Sequence, residues 1–338
     1  MVEGWSYPAE WADLSINDLE IEQRAQLLSD NLNTRDIYSL AVDQILEPRI
    51  VRSWKLFESL FEADRIRAEA EENFRGEEFR FYSWLSLDFI LRPVSSSATT
   101  AGLRTALLGS AWIISITILV AFPIGVGAAI YLEEYASNNW FNNLIELNIR
   151  NLAAVPSIIY GMLGLAVFAL ALRRITSGAI FGMGEPSGRT VISAALTLAL
   201  LILPVIIIQS QEAIRAVPSS IRDGSYGLGA TKWQTVSRQV LPIAFPSILT
   251  GIILAMSRAV GETAPLLVVG ASTFIGVDPD GPFSKFTVVP IQIYQWTARP
   301  EATFSAVAAA AIIVLLIIMI LLNGTAIILR NRFRRRLT

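Results

Sequence analysis

The sequence predicts an all-α membrane protein. Three observations carry that reading. Of the 338 residues, 53% are hydrophobic and only 17% charged, where water-soluble domains carry about 25% charged residues. The mean hydropathy is +0.50. The charge is also divided: residues 1–103 hold 19 acidic and 10 basic side chains, and residues 104–338 hold the remaining 10 and 17. An acidic hydrophilic segment, 1–103, therefore precedes a basic, apolar one, 104–329, closed by a basic tail, 330–338.

A helix that crosses a bilayer needs about 20 largely apolar residues. Five stretches reach that length. Residues 105–132, 151–172 and 190–211 carry no charge, and 302–329 carries none either. The remaining stretch, 245–276, contains Arg258 and Glu262. Unpaired backbone groups are not tolerated in lipid, and continuous apolar runs do not suit a barrel, so all five are expected to be helical. Pro123, Pro156 and Pro204 stand within three of them and are placed to kink their helices.

Five arginines, Arg330, Arg332, Arg334, Arg335 and Arg336, crowd the chain's end. Positive charge favours the cytoplasmic side, which puts that end inside the cell. Counting back, the segment between the third and fourth spans is cytoplasmic too, and it carries Arg215, Arg222, Lys232 and Arg238. The same count puts residues 1–103 outside. The opening MVEGWSYPAEWADLSIND has no basic start and no apolar core, so it is no signal peptide. The expectation is a further span upstream of this segment; the alternative is a cytoplasmic 1–103 with one re-entrant span. Within the segment, LFESLFEADRIRAEAEENF sets Leu56, Leu60, Phe61 and Ile66 at helical spacing.

The absence of His and Cys removes disulfides, thiol chemistry, His-dependent hydrolytic triads and zinc sites built on either residue. No G-x-x-x-x-G-K-[ST] phosphate loop is present either, so the chain is not expected to bind ATP by that device. The expectation is a transport component and not an enzyme, with no cofactor and no nucleic-acid partner.

Residues 212–242, EAIRAVPSSIRDGSYGLGATKWQTVSRQVLP, are too polar for lipid. Gly224, Gly227 and Gly229 are expected to break the middle, and 230–240 to form a short amphipathic helix ended by Pro242. Two short helices about a glycine turn make a knob that can seat in another protein's groove; an ordinary interfacial loop is the other reading.

Arg258 and Glu262 are the charges within a span. Each costs at least about 2.5 kcal/mol there, so they are candidates for function. Four residues apart, they share a helix face and can pair. The pair is either a structural lock or an anion site. An Arg fork suits phosphate oxygens. A carboxylate beside it suits an anion that carries a proton, because HPO₄²⁻ and H₂PO₄⁻ can donate an O–H where sulfate has none, leaving a buried acceptor unpaired.

Several stretches resemble one family. The pattern from Arg222-Asp223-Gly224-Ser225 through Gly229-Ala230-Thr231 to Leu241-Pro242 resembles the EAA loop of ABC importer permeases, with Asp-Gly-Ser in place of the usual Glu-Ala-Ala. RAVGETAPL around Arg258 and Glu262 resembles the A-type permease of bacterial phosphate-specific transporters. So do NLAAVPSIIYGMLGL (151–165), PIGVGAAIYLEEYA (123–136), QIYQWTARPEATFSAVAAA and NGTAIILRNRFRRR. PRIVRSWKLFESLF in the N-terminal segment is similar to that family's extracytoplasmic insertion, which follows a first span.

This resemblance implies the type I importer permease fold, usually with six spans. It implies import of inorganic phosphate by alternating access, with Arg258 and Glu262 in the translocation path. It also implies a coupling helix in 212–242 that seats on the ATPase. The partners implied are a second homologous permease, two ATP-binding subunits and an extracytoplasmic phosphate-binding protein, in the bacterial inner membrane. Rival readings are a permease for another oxyanion or small solute, or an ATP-independent channel or scaffold.

Overall fold

The computed structural model describes residues 61–74, 83–182, 187–270 and 275–334, with Gln26, Asp30, Asn31, Arg52, Trp54 and Glu58. Leu56, Leu60, most of PRIVRSWKLFESLF, the whole of MVEGWSYPAEWADLSIND, Arg335 and Arg336 lie outside the described residues, so the expectations placed on them do too. The chain divides into two compact units, one of Met1–Tyr82 with Ser97–Thr100 and one of Ser83–Ser96 with Ala101–Thr338.

In the first unit, helix α1 spans Ala63–Asn73. Ile66 is buried, as its spacing predicts, but Phe61 is exposed, so the apolar face is narrower than expected. Trp54 meets Phe74 edge to face, with ring centroids 6.3 Å apart.

The second unit is a bundle of apolar helices; among the described residues it has no strand. A short α2, Leu87–Leu91, comes first, and its Phe89 ring lies 6.0 Å from that of Trp296. Helix α3, Arg104–Ile130, runs on as a π-helix through Tyr135, and Pro123 sits inside it without ending it. Then come α4, Trp140–Ala153, and α5, Ser157–Gly164, the latter extended as a π-helix to Ala171. After the single turn α6, Arg173–Thr176, the long α7 spans Val191–Arg215 and contains Pro204. The remaining helices are α8, Ser219–Gly227; α9, Lys232–Thr235, which continues through a π-helix into α10, Leu241–Gly261; α11, Ala264–Val269; α12, Val289–Thr297; and α13, Ala302–Arg334.

Among the described residues, four helices are long and apolar enough to cross a membrane: Arg104–Tyr135, Val191–Arg215, Lys232–Gly261 and Ala302–Arg332. The pair Trp140–Ala153 and Ser157–Ala171 is also apolar enough when taken together, but it is bent through 102°, as a broken span or a re-entrant loop is. This corrects the second expected span, 151–172. Its first residues belong to an amphipathic helix, and the apolar helix starts only after Pro156. The proline disfavours helical backbone at Val155, and Tyr160 Oη donates to the Leu152 carbonyl at 2.8 Å across the bend, beside the bond that carbonyl takes from Val155 N–H.

The fourth expected span is also corrected. It does not run as one helix to residue 276 but stops at Gly261. Pro265 has no N–H to give the Gly261 carbonyl, and its ring crowds that carbonyl, so the chain turns at Glu262 and restarts with Pro265 in the first turn of α11. Two expectations about the loop change as well. Gly224 and Gly227 lie inside α8, and only Gly229, at φ +82°, breaks the chain. Nor does Pro242 end the helix before it. The missing N–H at 242 is accommodated by the π-helical turn Val236–Val240, and the helix passes on into the span.

Helix α7 is the centre of the bundle, packed against α3, α10, α5 and α11. Ile113, Leu198, Ile202, Ala255, Leu266, Phe286 and Ile291 form one core around it. Its N-terminus is closed by the loop before α12: Val191 N–H donates to the Ser284 carbonyl at 3.0 Å and Ile192 N–H to that of Pro282 at 2.8 Å. Leu119, Leu254, Leu316 and Ile320 face outward, as expected of a surface solvated by lipid.

Candidate functional site

The break after Gly261 places the intramembrane charges. Arg258 lies in the last turn of α10, where its charge complements the helix's negative end. Glu262 is the next residue past the helix, in extended backbone at φ −75° and ψ 119°. The two are joined as their spacing predicts, Arg258 Nε donating to Glu262 Oε1 at 3.2 Å, but across the helix end and not along one face. The Arg side chain is 42% exposed and the Glu 18%. Among the described residues Arg258 makes no other hydrogen bond, so its two Nη groups stay available to a ligand.

The turn that carries Glu262 is seated on α5. Gly161 lies directly against the backbone of Pro265; a β-carbon there would come within 2.6 Å of the Pro265 Cα. Tyr160, adjacent to that contact, is buried. The site thus joins a guanidinium with free donors, a carboxylate acceptor and a close glycine–proline contact between α5 and the start of α11.

The second candidate region is the loop from α8 to α10. Asp223 and Gly224 are exposed. Ser225 Oγ lies 2.9 Å from Thr235 Oγ, holding α8 against α9. Ala230 N–H donates to the Ser225 carbonyl at 3.2 Å. Thr231 caps α9: its Oγ accepts from Gln234 N–H at 3.3 Å, and its own N–H donates to Gln234 Oε1 at 2.9 Å. Leu241 and Pro242 are half-buried in the continuous helix. Arg222 is set apart from these. It turns inward, donating to Glu134 at 2.8 and 3.1 Å and to the carbonyls of Ile214 and Val217 at 2.9 and 2.6 Å.

The loop's outer surface is apolar at its tip, with Leu228 91% exposed and Trp233 60%. Sequence reasoning passed over both, and over Glu134; the available signal was two large apolar residues flanking the turn glycine of an otherwise polar loop.

Residues 121–337 match the family described as "Binding-protein-dependent transport system inner membrane component". The chain belongs to this family.

Similar proteins agree with that membership. The permease is 36% identical over 215 residues to the Bacillus subtilis "Probable ABC transporter permease protein YqgI", covering 63% of this chain and 68% of that one. It is 35% identical over 212 residues to the Mycobacterium tuberculosis "Phosphate transport system permease protein PstA 1", covering 62% and 64%. The second match spans less than two thirds of the relative's own length. Among solved structures, the methionine ABC transporter MetNI in inward-facing form superposes with a TM-score of 0.50 at 15% identity, covering 68% of this chain and 95% of that one. A bacterial ABC transporter involved in alginate import gives 0.50 at 14%, covering 86% and 95%. At these identities the permease shares their fold, and the likeness reaches no further.

Proposed function

We propose that this permease moves inorganic phosphate across the cytoplasmic membrane into the cell, as one of two homologous permeases driven by a pair of ATP-binding subunits. The observation that carries the substrate is the Arg258–Glu262 pair at the broken end of α10. The guanidinium keeps donors for anion oxygens, and the carboxylate accepts from a protonated oxyanion. The mycobacterial relative named for phosphate transport supports the same substrate.

The geometry suggests how the pair takes part. Arg258 lies about 26 Å along the helix from Leu241 at 1.5 Å per residue, toward the far side of a hydrocarbon core about 30 Å thick. With the C-terminus and the 219–235 loop in the cytoplasm and residues 1–103 outside, the pair stands near the outer mouth, where an extracytoplasmic binding protein would release phosphate. The turn 262–265 rests on α5 while Arg258 belongs to α10. Relative motion of those helices therefore opens or closes the pair, and alternating access follows from which face the pair meets.

In this reading the exposed Leu228 and Trp233, with Asp223 beside them, seat in a cleft of the ATP-binding subunit, which performs the hydrolysis. The test is ATP hydrolysis by the purified four-subunit complex. Stimulation by the phosphate-loaded binding protein and not by the empty one supports the assignment; no stimulation by phosphate under any loading removes it.

A further inference from the structure

The π-helical end of α3, Tyr131–Tyr135, gathers polar contacts from α7, which precedes the loop, and from α8 and α9, which form it. Glu133 accepts from Arg215 at the end of α7, from Nε at 3.2 Å and also from Nη2. Glu134 accepts the two hydrogen bonds of Arg222 in α8. The Tyr135 ring lies 5.1 Å from Lys232 Nζ at the start of α9. Three consecutive side chains thus meet three different helices and not one flat partner. Here the loop wraps the helix end.

The acidic side chains are shielded, Glu133 being 13% exposed and Glu134 7%. Removing either partner of a shielded pair leaves a charge without compensation. The opposite end of α3 is tied as well. Arg104 Nε donates to Asp278 at 2.8 Å and Thr105 Oγ to the same carboxylate at 2.6 Å, and Asp278 lies in the loop between α11 and α12. One helix therefore joins the coupling loop to the loop that follows the Arg258–Glu262 turn.

We propose that Glu133, Glu134 and Tyr135 form a transmission clamp. They are positioning residues that make α3 move as one body with both arms of the 219–235 loop. Displacement of that loop then reaches the far side of the membrane through α3 as well as through α10, with which α9 is continuous. The proposal rests on the ATPase-docking role given to the loop above. A coupling free energy between two sites commonly corresponds to about a 5- to 150-fold effect.

The experiment uses the assembled complex with its binding protein and compares the chain with its Glu133→Gln/Glu134→Gln double variant. The ATP-binding subunits are expected to copurify with the variant, while phosphate moved per ATP hydrolysed falls by about tenfold, inside that range. Because the chain has no Cys, spin labels at Ile124→Cys and Ser220→Cys report the α3-to-loop distance directly. That distance is expected to stay constant between nucleotide-free and ATP-bound states with the clamp intact, and to change with nucleotide in the variant. An unchanged transport ratio, or the same distance change with and without the clamp, overturns the proposal. So does loss of the ATP-binding subunits from the variant, which would make the pairs a folding support for the loop. Retention of those subunits by Leu228→Asp would instead remove the docking role itself.

Discussion

Gly161 in α5 rests on Pro265 so closely that a β-carbon at 161 would lie 2.6 Å from the Pro265 Cα and 3.0 Å from its carbonyl oxygen. Both atoms are backbone, so a larger residue cannot be relieved by a side-chain rotation. Gly161→Ala is expected to push the 262–265 turn from its seat at an overpacking cost of about 1–3 kcal/mol. Phosphate uptake should fall while the amount of chain in the membrane is preserved. Uptake equal to that of the unaltered chain would show that the contact does not position the pair.

Arg258→Ala is expected to abolish uptake with the complex still assembled. Arg258→Lys should recover little, because an ammonium lacks the planar fork and cannot reproduce paired contacts to two oxygens. Uptake counted in vesicles of matched complex content checks both; normal uptake by Arg258→Ala would reduce the residue to a dispensable ion-pair partner.

At the loop, Leu228→Asp should release the ATP-binding subunits, since it would bury an unpaired charge in the apolar contact. Asp223→Lys should spare insertion but uncouple ATP hydrolysis from transport. Copurification and hydrolysis assays separate the two effects.

The orientation gives a prediction for the N-terminal segment. Glu71 is exposed on α1, and the chain has no native thiol. A cysteine at Glu71 should react with an impermeant maleimide added to intact cells. Reaction only after lysis would place the segment in the cytoplasm.

The long helices α3, α7 and α13 were legible in the sequence because twenty uncharged residues in succession have few other solutions. The breaks were not, because runs are judged by average hydropathy while helices end at single residues. Pro265 carried the signal for the stop at Gly261, four residues earlier, and Pro156 the signal for the 102° bend; neither changes the mean apolarity of its stretch. The amphipathic helix Trp140–Ala153 was passed over for the same reason, as its Glu146 and Arg150 lower the average. The spacing of Arg258 and Glu262 gave their contact correctly, since four residues suffice to join them. Arg222 shows the opposite case. Its partner Glu134 is 88 residues away, beyond any local pattern, so the sequence did not show the tie.

The most direct measurement is ATP-dependent uptake of radiolabelled phosphate by vesicles holding the assembled complex, challenged with excess sulfate, for the unaltered chain and Glu262→Gln. The expected result is uptake that sulfate does not inhibit in the unaltered chain. Glu262→Gln adds an amide donor, so sulfate should then compete, with selectivity reduced roughly 5- to 150-fold, the equivalent of one buried acceptor's pairing at about 1–3 kcal/mol. Sulfate inhibition of the unaltered chain, or no phosphate uptake with the ATP-binding subunits still bound, would contradict phosphate as the substrate selected by this pair.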